Sequence, residues 1–401
     1  MGESPSRRSQ GNRRVLIVAG EASGDQHAAR LVEEVHQRAP DVQFAGIGGP
    51  RMRRAGVEIV VDSREMAVVG LFEVLAHFPS IYGALQLMRR KLREERPDLL
   101  VLVDYPDFNL RLAKTARRLG IKVLYYISPQ VWAWRQKRVH KIGRLVDMMA
   151  VVFPFEVPFY EKAGVPVRFV GHPLAEEVSS PLSVEEARVQ LGLASDAPVV
   201  GLFPGSRRSE IMRLLPTLIE AAERLTRRHP KLQFILPQAS TLTEADLRPY
   251  IENTAVDIRV VADRFYDVVR ACDTIVSASG TATLEIALME VPLVVIYKVA
   301  PLSYRIMSSL IKVDRIALCN IVAGKAVATE LLQEAASAER IADEVDTLLD
   351  DPSRRAAMQK ELSGVRERLG GGGGSINIAE LTLEMLGSSK EPRNGREINA
   401  K

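Results

Sequence analysis

Two stretches decide how this chain is read: Phe203-Pro204-Gly205-Ser206-Arg207 and, further along, Ser277-Ala278-Ser279-Gly280-Thr281-Ala282-Thr283-Leu284-Glu285. Each is a strand-like run that enters a Gly/Ser turn and then a helical stretch. Gly205 and Gly280 let backbone approach phosphate oxygens, the helix starts behind them offer unpaired N–H groups, and Arg207 adds a planar fork of donors. A single Gly-Ser turn is more often a plain connector, but two such turns together would cradle one diphosphate, so Gly205, Ser206, Arg207, Ser279, Gly280 and Thr281 form the expected nucleotide site. Glu285 falls about one turn into the second helix, where a carboxylate can accept from both ribose hydroxyls. A solvated helix charge is the other reading, and position alone does not separate the two.

Outward from these turns the chain keeps one rhythm. Apolar runs at Val15 to Ala19, Val42 to Gly46, Leu99 to Val103, Val123 to Ile127 and Met148 to Phe153 alternate with helical stretches. After Gly171-His172-Pro173 the rhythm restarts, at Val199 to Phe203, Gln233 to Leu236, Ile258 to Val261, Thr274 to Val276 and Leu293 to Tyr297. Strands alternating with helices predict an α/β protein with parallel sheets, here two Rossmann-like domains. The expected division is a basic head at 1–14, a first domain at 15–173, a second at 174–369, a glycine hinge with a last helix at 370–388, and a polar tail at 389–401. Ligands in such sheets bind beyond the carboxyl ends of the strands, which points to the cleft between the domains.

The chain has 401 residues, 46% hydrophobic and 26% charged, which suits a folded two-domain protein and excludes gross disorder. Cys272 and Cys319 are far apart and fit no metal-ligand spacing, so neither a disulfide framework nor a structural zinc is expected, and a reducing compartment is favoured. No secretion signal is evident, and no apolar run is long enough to span a bilayer. From Arg111 to Val146 there are ten Lys/Arg and no acid. That face wants an anionic partner; no zinc-finger, RNA-recognition or helix-turn-helix pattern accompanies it, so nucleic acid gives way to acidic lipid or a phosphorylated substrate.

In the first half, Gly20-Glu21-Ala22-Ser23-Gly24-Asp25-Gln26-His27 sits where a strand ends and a helix begins. Its spacing is not the dinucleotide fingerprint, and its carboxylates would repel a pyrophosphate, so a hydroxyl-bearing sugar is the better guest; alternatively Ser23 or Asp25 simply caps the helix. Asp104-Tyr105-Pro106-Asp107-Phe108-Asn109 follows the apolar strand Leu99 to Val103 and places Asp104 at its carboxyl end. A carboxylate partly desolvated beside a cleft is raised toward the working pH, which makes Asp104 the candidate general base. Asp107 has the better claim to be a structural cap. Trp132 and Trp134 stand beside Arg135, Lys137 and Arg138, a mixture that suits a partly wet amphiphilic site, with buried core as the alternative. Met66 to Tyr82 is apolar and precedes Arg89, Arg90, Lys91 and Arg93. It reads either as a lipid-facing segment with a basic border or as an ordinary core helix.

Taken together, Gly20 to Asp25, Asp104 to Asn109, Ser128-Pro-Gln-Val-Trp-Ala-Trp134, Gly171-His-Pro173, Pro204 to Arg207, Ser279-Gly-Thr281 with Glu285, and Asn320 resemble the lipid-A-disaccharide synthase family over about Val15 to Gln333. The resemblance implies a GT-B glycosyltransferase that moves 2,3-diacylglucosamine from UDP-2,3-diacylglucosamine to 2,3-diacylglucosamine 1-phosphate (lipid X), with inversion at the anomeric carbon. It implies that Glu21 supports catalysis beside Asp104, and that Ser23, Asp107, Asn109, Trp132 and Asn320 position substrate. No cofactor or metal is expected, since Arg207 and the helix start at Thr281 can carry the diphosphate charge. An enzyme of this kind is expected in the cytoplasm, attached peripherally to an anionic inner-membrane face. A homodimer with an exchanged last helix is one arrangement that a glycine hinge permits.

Overall fold

The structure, a computed structural model, describes residues 13–65, 71–134, 136–300 and 315–387. The apolar runs become the inner strands of two sheets. In the first, β1 (Arg14–Ala19), β2 (Gln43–Gly48), β3 (Glu58–Asp62), β4 (Leu99–Val103), β5 (Lys122–Tyr126), β6 (Met148–Val151) and β7 (Val167–Phe169) lie in the order β3-β2-β1-β4-β5-β6-β7. In the second, β8 (Val199–Phe203), β9 (Gln233–Gln238), β10 (Ile258–Ala262), β11 (Thr274–Ala278), β12 (Leu293–Tyr297) and β13 (Thr329–Leu332) lie in the order β10-β9-β8-β11-β12-β13. The pairs between neighbouring strands are parallel, with Val15 beside Leu99 and Ala19 beside Val103 in one sheet, and Thr274 beside Val200 in the other.

Helices cover both faces of each sheet, so the central strands must be apolar on both sides; every residue of β4 and β8 is buried. Three strands escaped the sequence reading. Glu58–Asp62, Val167–Phe169 and Thr329–Leu332 are sheet edges, short and only partly buried, where a mixed sequence is tolerated. Strand order reverses between β1 and β4 and again between β8 and β11, and at each reversal adjacent crossover helices leave on opposite faces, which opens a crevice at the strand carboxyl ends.

Among the described residues the core falls into two apolar clusters. One, with Leu16, Val18, Met88, Leu100 and Leu102, lies under one face of the first sheet. The other takes the opposite face and continues through Val170, Ala175 and Val178 into the second sheet, so the connection between the sheets is itself core. Arg366 closes that connection by donating to the carbonyls of Ala175, Val178 and Leu288.

The last helix, Gly374–Gly387, returns to the first sheet and packs along helix Ala22–Arg38. Lys122 donates to Met385 O, Asn377 to Val170 O, and Ser375 to Glu176. The glycines before it form a packed turn, not a slack tether: φ is positive at Gly370, Gly371, Gly372 and Gly373, and a Cβ on Gly370 would lie 3.1 Å from Gly171 Cα. Of the apolar segment Met66 to Tyr82, residues 66–70 lie outside the described residues, and only backbone is described for 71–78, within helix Leu71–Glu95. The head at 1–12 and the tail from 388 also lie outside them.

Candidate active site

A cavity of about 690 Å³ opens at the carboxyl ends of β8 and β11, and its lining includes Gly205, Ser206, Arg207, Ser279, Gly280, Thr281 and Glu285 together. The two Gly/Ser turns are brought side by side because β8 and β11 are neighbours. Gly205 has φ of 109°, and the Glu210 carboxylate lies where a Cβ would project, so no larger residue fits. Glu210 accepts from Ser206 N (2.9 Å) and Arg207 N (3.2 Å), reaching back from the first turn of helix Arg208–Arg228. Arg207 points outward and is 80% exposed. Helix Thr281–Leu288 starts behind Gly280 with no side-chain cap, which leaves its first N–H groups facing the cavity mouth. Ser279 is used internally, its hydroxyl donating to Ile316 O at 3.0 Å.

Glu285 is not a solvated helix charge. It is partly buried, lines the cavity and accepts from Tyr266 OH at 2.9 Å. Burial, with Glu177 nearby, raises its carboxyl above the ordinary value. Tyr266, Phe265, Gln238 and Glu210 share this lining and were not read from the sequence. They follow strands or sit in first turns, with no local spacing to mark them.

In the first sheet the switch point sets the acidic motifs next to each other. Asp104 ends β4 in the left-handed region (φ 45°), as does Tyr105 after it. Asp104 N donates to Tyr126 O, and its own carbonyl receives Tyr125 OH at 2.6 Å and Asn109 Nδ2 at 2.7 Å. Burial first, and then the Glu21 charge, push its carboxyl up to about 6, against the lowering by Tyr105 N–H and His27. A group held there can take a proton near neutral pH. Glu21 and Ser23 are exposed at the start of helix Ala22–Arg38 and line a second cavity of about 420 Å³.

Three residues expected to touch substrate are buried in the fold. Asn109 is fully buried and donates to Val103 O and Asp104 O, so it pins the strand end that carries Asp104. Asn320 is fully buried; its amide donates to Ala328 O and Glu330 and accepts from Val327 N and Ala328 N, which uses the whole group. Trp132 is 9% exposed and packs edge-on against Phe155, so the partly wet setting expected for it is not found. Asp107 is exposed in the first turn of helix Pro106–Arg118 and reaches Arg138 at 3.3 Å. Asp25 caps not its own helix but the next one: its carboxylate accepts from Gly49 N (2.7 Å), Arg51 N (3.0 Å) and Met52 N (3.0 Å).

Other polar groups knit the cleft. Glu177 lies between the sheets, receiving Gln26 at 2.8 Å and meeting Arg30 at 3.0 Å, while its charge also reaches Glu285 and Tyr266. His172 Nδ1 accepts from Leu174 N, and burial beside His27 pushes the ring down to about 4. Glu156, 1% exposed, accepts from Ser128 Oγ and Phe153 N, and burial pushes it up to about 7. An isolated acid in a helix gives no sequence signal of such a role. Among the described residues, no group of three or more His, Cys, Asp or Glu is placed to hold a metal ion.

Two parallel sheets built on the 3-2-1-4-5-6 order, the first with a seventh strand, each with a crevice at its switch point, define the GT-B class of nucleotide-sugar enzymes. The fold is shared with a Neisseria meningitidis UDP-GlcNAc 2-epimerase bound to UDP-GlcNAc (TM-score 0.59, 13% identity, 92% of this chain and 100% of that one). It is shared also with the calicheamicin glycosyltransferase CalG4 (TM-score 0.58, 17% identity, 94% and 98%). The profile of the lipid-A-disaccharide synthetase family matches residues 15–372. Lipid-A-disaccharide synthases of Nitrosococcus oceani and Geobacter metallireducens are 62% identical over 372 residues and 58% over 379, covering 93% and 94% of this chain and 96% and 99% of theirs. The chain belongs to the lipid-A-disaccharide synthase family.

Proposed function

We infer that this enzyme joins two acylated glucosamines, moving 2,3-diacylglucosamine from its UDP carrier to 2,3-diacylglucosamine 1-phosphate and releasing UDP. The observation that carries the reading is the single cavity gathering both Gly/Ser turns and Glu285, alongside a first sheet whose own switch point holds Asp104. In this assignment the acceptor 6-hydroxyl attacks the anomeric carbon, its proton passes to the Asp104 carboxylate, and the bond from that carbon to the diphosphate oxygen breaks. Attack opposite the leaving group turns an α-linked donor into a β-linked product. Charge developing on the diphosphate falls on Arg207 and on the N–H groups at Thr281, while Glu285, oriented by Tyr266, takes the ribose. Glu21 keeps Asp104 basic by its charge, and Ser23 offers a hydroxyl to the acceptor. Asn109, Asn320 and Trp132 support the loops that these groups stand on.

Attachment to an anionic membrane face is part of the same reading. Arg111, Lys114, Arg117 and Arg118 are exposed along helix Pro106–Arg118, which starts at the Asp104 turn. No helix among the described residues is long and apolar enough to cross a membrane. Exchange of the last helix between two copies would give a homodimer that cross-linking of residues in Ala22–Arg38 to Gly374–Gly387 would separate from the self-docked arrangement.

The test is to incubate the enzyme with both substrates, with and without chelator, and to measure UDP and disaccharide together. Equal amounts of each support the transfer. UDP without disaccharide would replace it with hydrolysis or another acceptor, and neither product would overturn it.

A further inference from the structure

The second cavity is lined by Glu21, Ser23, Asp25 and Gln26 on one side and by Pro50, Arg51, Arg54, Ser63 and Arg64 on the other. Sheet order explains the arrangement. Arg64 follows β3, Arg51 and Arg54 follow β2, Glu21 follows β1 and Asp104 ends β4, and these four strands are consecutive neighbours. Along these four strand ends Asp62 offsets Arg64 at β3, while Arg51 and Arg54 after β2 are followed by the carboxylates Glu21 and Asp104 at β1 and β4. From the end of β2 to the end of β4 is two strand spacings, ~10 Å. Besides burial, the charges that shift the Asp104 carboxyl are those of Glu21, which raises it, and His27, which lowers it.

The arginines differ in what they have to spare. Arg64 is committed to Asp62, with contacts of 2.9 and 2.8 Å. Arg51 and Arg54 are exposed and meet no carboxylate within ion-pair distance among the described residues. They stand three apart in helix Pro50–Arg54 and so share a face. That helix is fixed from below, because Asp25 already fills its N–H groups; what it presents to the cavity is guanidinium.

We propose that Arg51 and Arg54 form a phosphomonoester subsite that holds the 1-phosphate of the acceptor sugar while its 6-hydroxyl reaches Asp104. This deepens the transfer reading above and rests on it. A pyranose with a phosphate at one end and a reacting hydroxyl at the other matches a row that is cationic at β2 and carboxylate at β4. Two guanidinium groups give the bidentate contacts that a phosphate dianion takes up, and Glu21, between them and Asp104, faces the sugar hydroxyls. The stretch from Arg111 to Val146 with its ten Lys/Arg, for which the sequence offered acidic lipid or a phosphorylated substrate, is left to the membrane surface.

The experiment compares the wild type with Arg51→Ala, Arg54→Ala and the double variant, using acceptor with and without its 1-phosphate, and measures UDP affinity and sedimentation with phosphatidylglycerol vesicles. Loss of each charged hydrogen-bond donor is expected to raise KM for the phosphorylated acceptor about tenfold, with kcat little changed. UDP affinity, vesicle binding and turnover of the dephosphorylated acceptor should stay as in the wild type. Equal losses with both acceptors, or no loss with either, would overturn the subsite. A fall in vesicle binding alone would assign these arginines to lipid headgroups and overturn it as well. If the wild type joined neither acceptor, the transfer reading itself would fail, whereas a wild type active on both with indifferent variants would sink only the subsite.

Discussion

Asp104→Asn should make the enzyme inactive and more stable at the same time. The carboxyl is raised from 3.8 to about 6, and at 1.36 kcal/mol per pH unit the ionised form is about 3 kcal/mol less favourable in the folded protein than in the unfolded chain. Water reaching it from the cleft trims this to about 1–3 kcal/mol. The sign follows from proton binding. Between pH 4 and 6 the folded state holds a proton that the unfolded chain has released, so stability falls as pH rises through that window and stays reduced above it. Asparagine carries no charge and accepts the left-handed backbone of this position, so the variant escapes the penalty. Thermal unfolding at pH 8 should shift upward by a few degrees, whereas at pH 4 the two proteins should melt together. Turnover should fall by a factor of 10² to 10⁴, and the wild-type rate should rise with pH through about 6. A variant less stable at pH 8, activity within tenfold of the wild type, or a rate flat across pH 6 would refute the reasoning.

Tyr266→Phe removes the hydroxyl that holds Glu285, and is expected to weaken UDP binding by about 3- to 10-fold, read by calorimetry, with folding intact. Asp25→Ala strips three charge-assisted hydrogen bonds from the Gly49–Met52 turn; a loss of about 2–4 kcal/mol in denaturant unfolding is expected, and an unchanged midpoint would contradict the cap. Asn320→Ala should lower stability by a similar amount while the KM values of the surviving folded enzyme stay within about threefold, because the amide is spent on backbone. Replacing Arg111, Lys114 and Arg118 by Glu should abolish sedimentation with anionic vesicles at low salt without altering UDP affinity, and retained binding would remove that face from the membrane contact.

The repeated strand–helix rhythm made the two sheets legible, because a strand buried on both faces must be apolar along its length, as β4 and β8 are. Edge strands such as Thr329–Leu332 obey no such demand and went unread. The proposed nucleotide cradle rests on glycine, serine and arginine at a strand end, which leave a local pattern, and its two turns share one cavity because β8 and β11 are neighbours. Asn109 and Asn320 show the limit of that reasoning. An amide beside a motif has the same sequence appearance whether it faces a ligand or pins a backbone, and only burial separates the two. Tyr266 and Glu156 depend on partners distant in the chain, Glu285 and Ser128, which spacing cannot reveal.

The last helix lies against the first, with Ile378, Ala379 and Leu381 buried there. During synthesis the strands of the first sheet leave the ribosome about 200 residues ahead of that helix, a delay on the order of ten seconds or more at ordinary elongation rates. For that interval the outer face of helix Ala22–Arg38 waits uncovered while the second sheet is made and folded. The half that begins the chain is therefore the half finished last, and a polypeptide cut short at the glycine turn would leave the acceptor side incomplete even with every residue of its sheet in place.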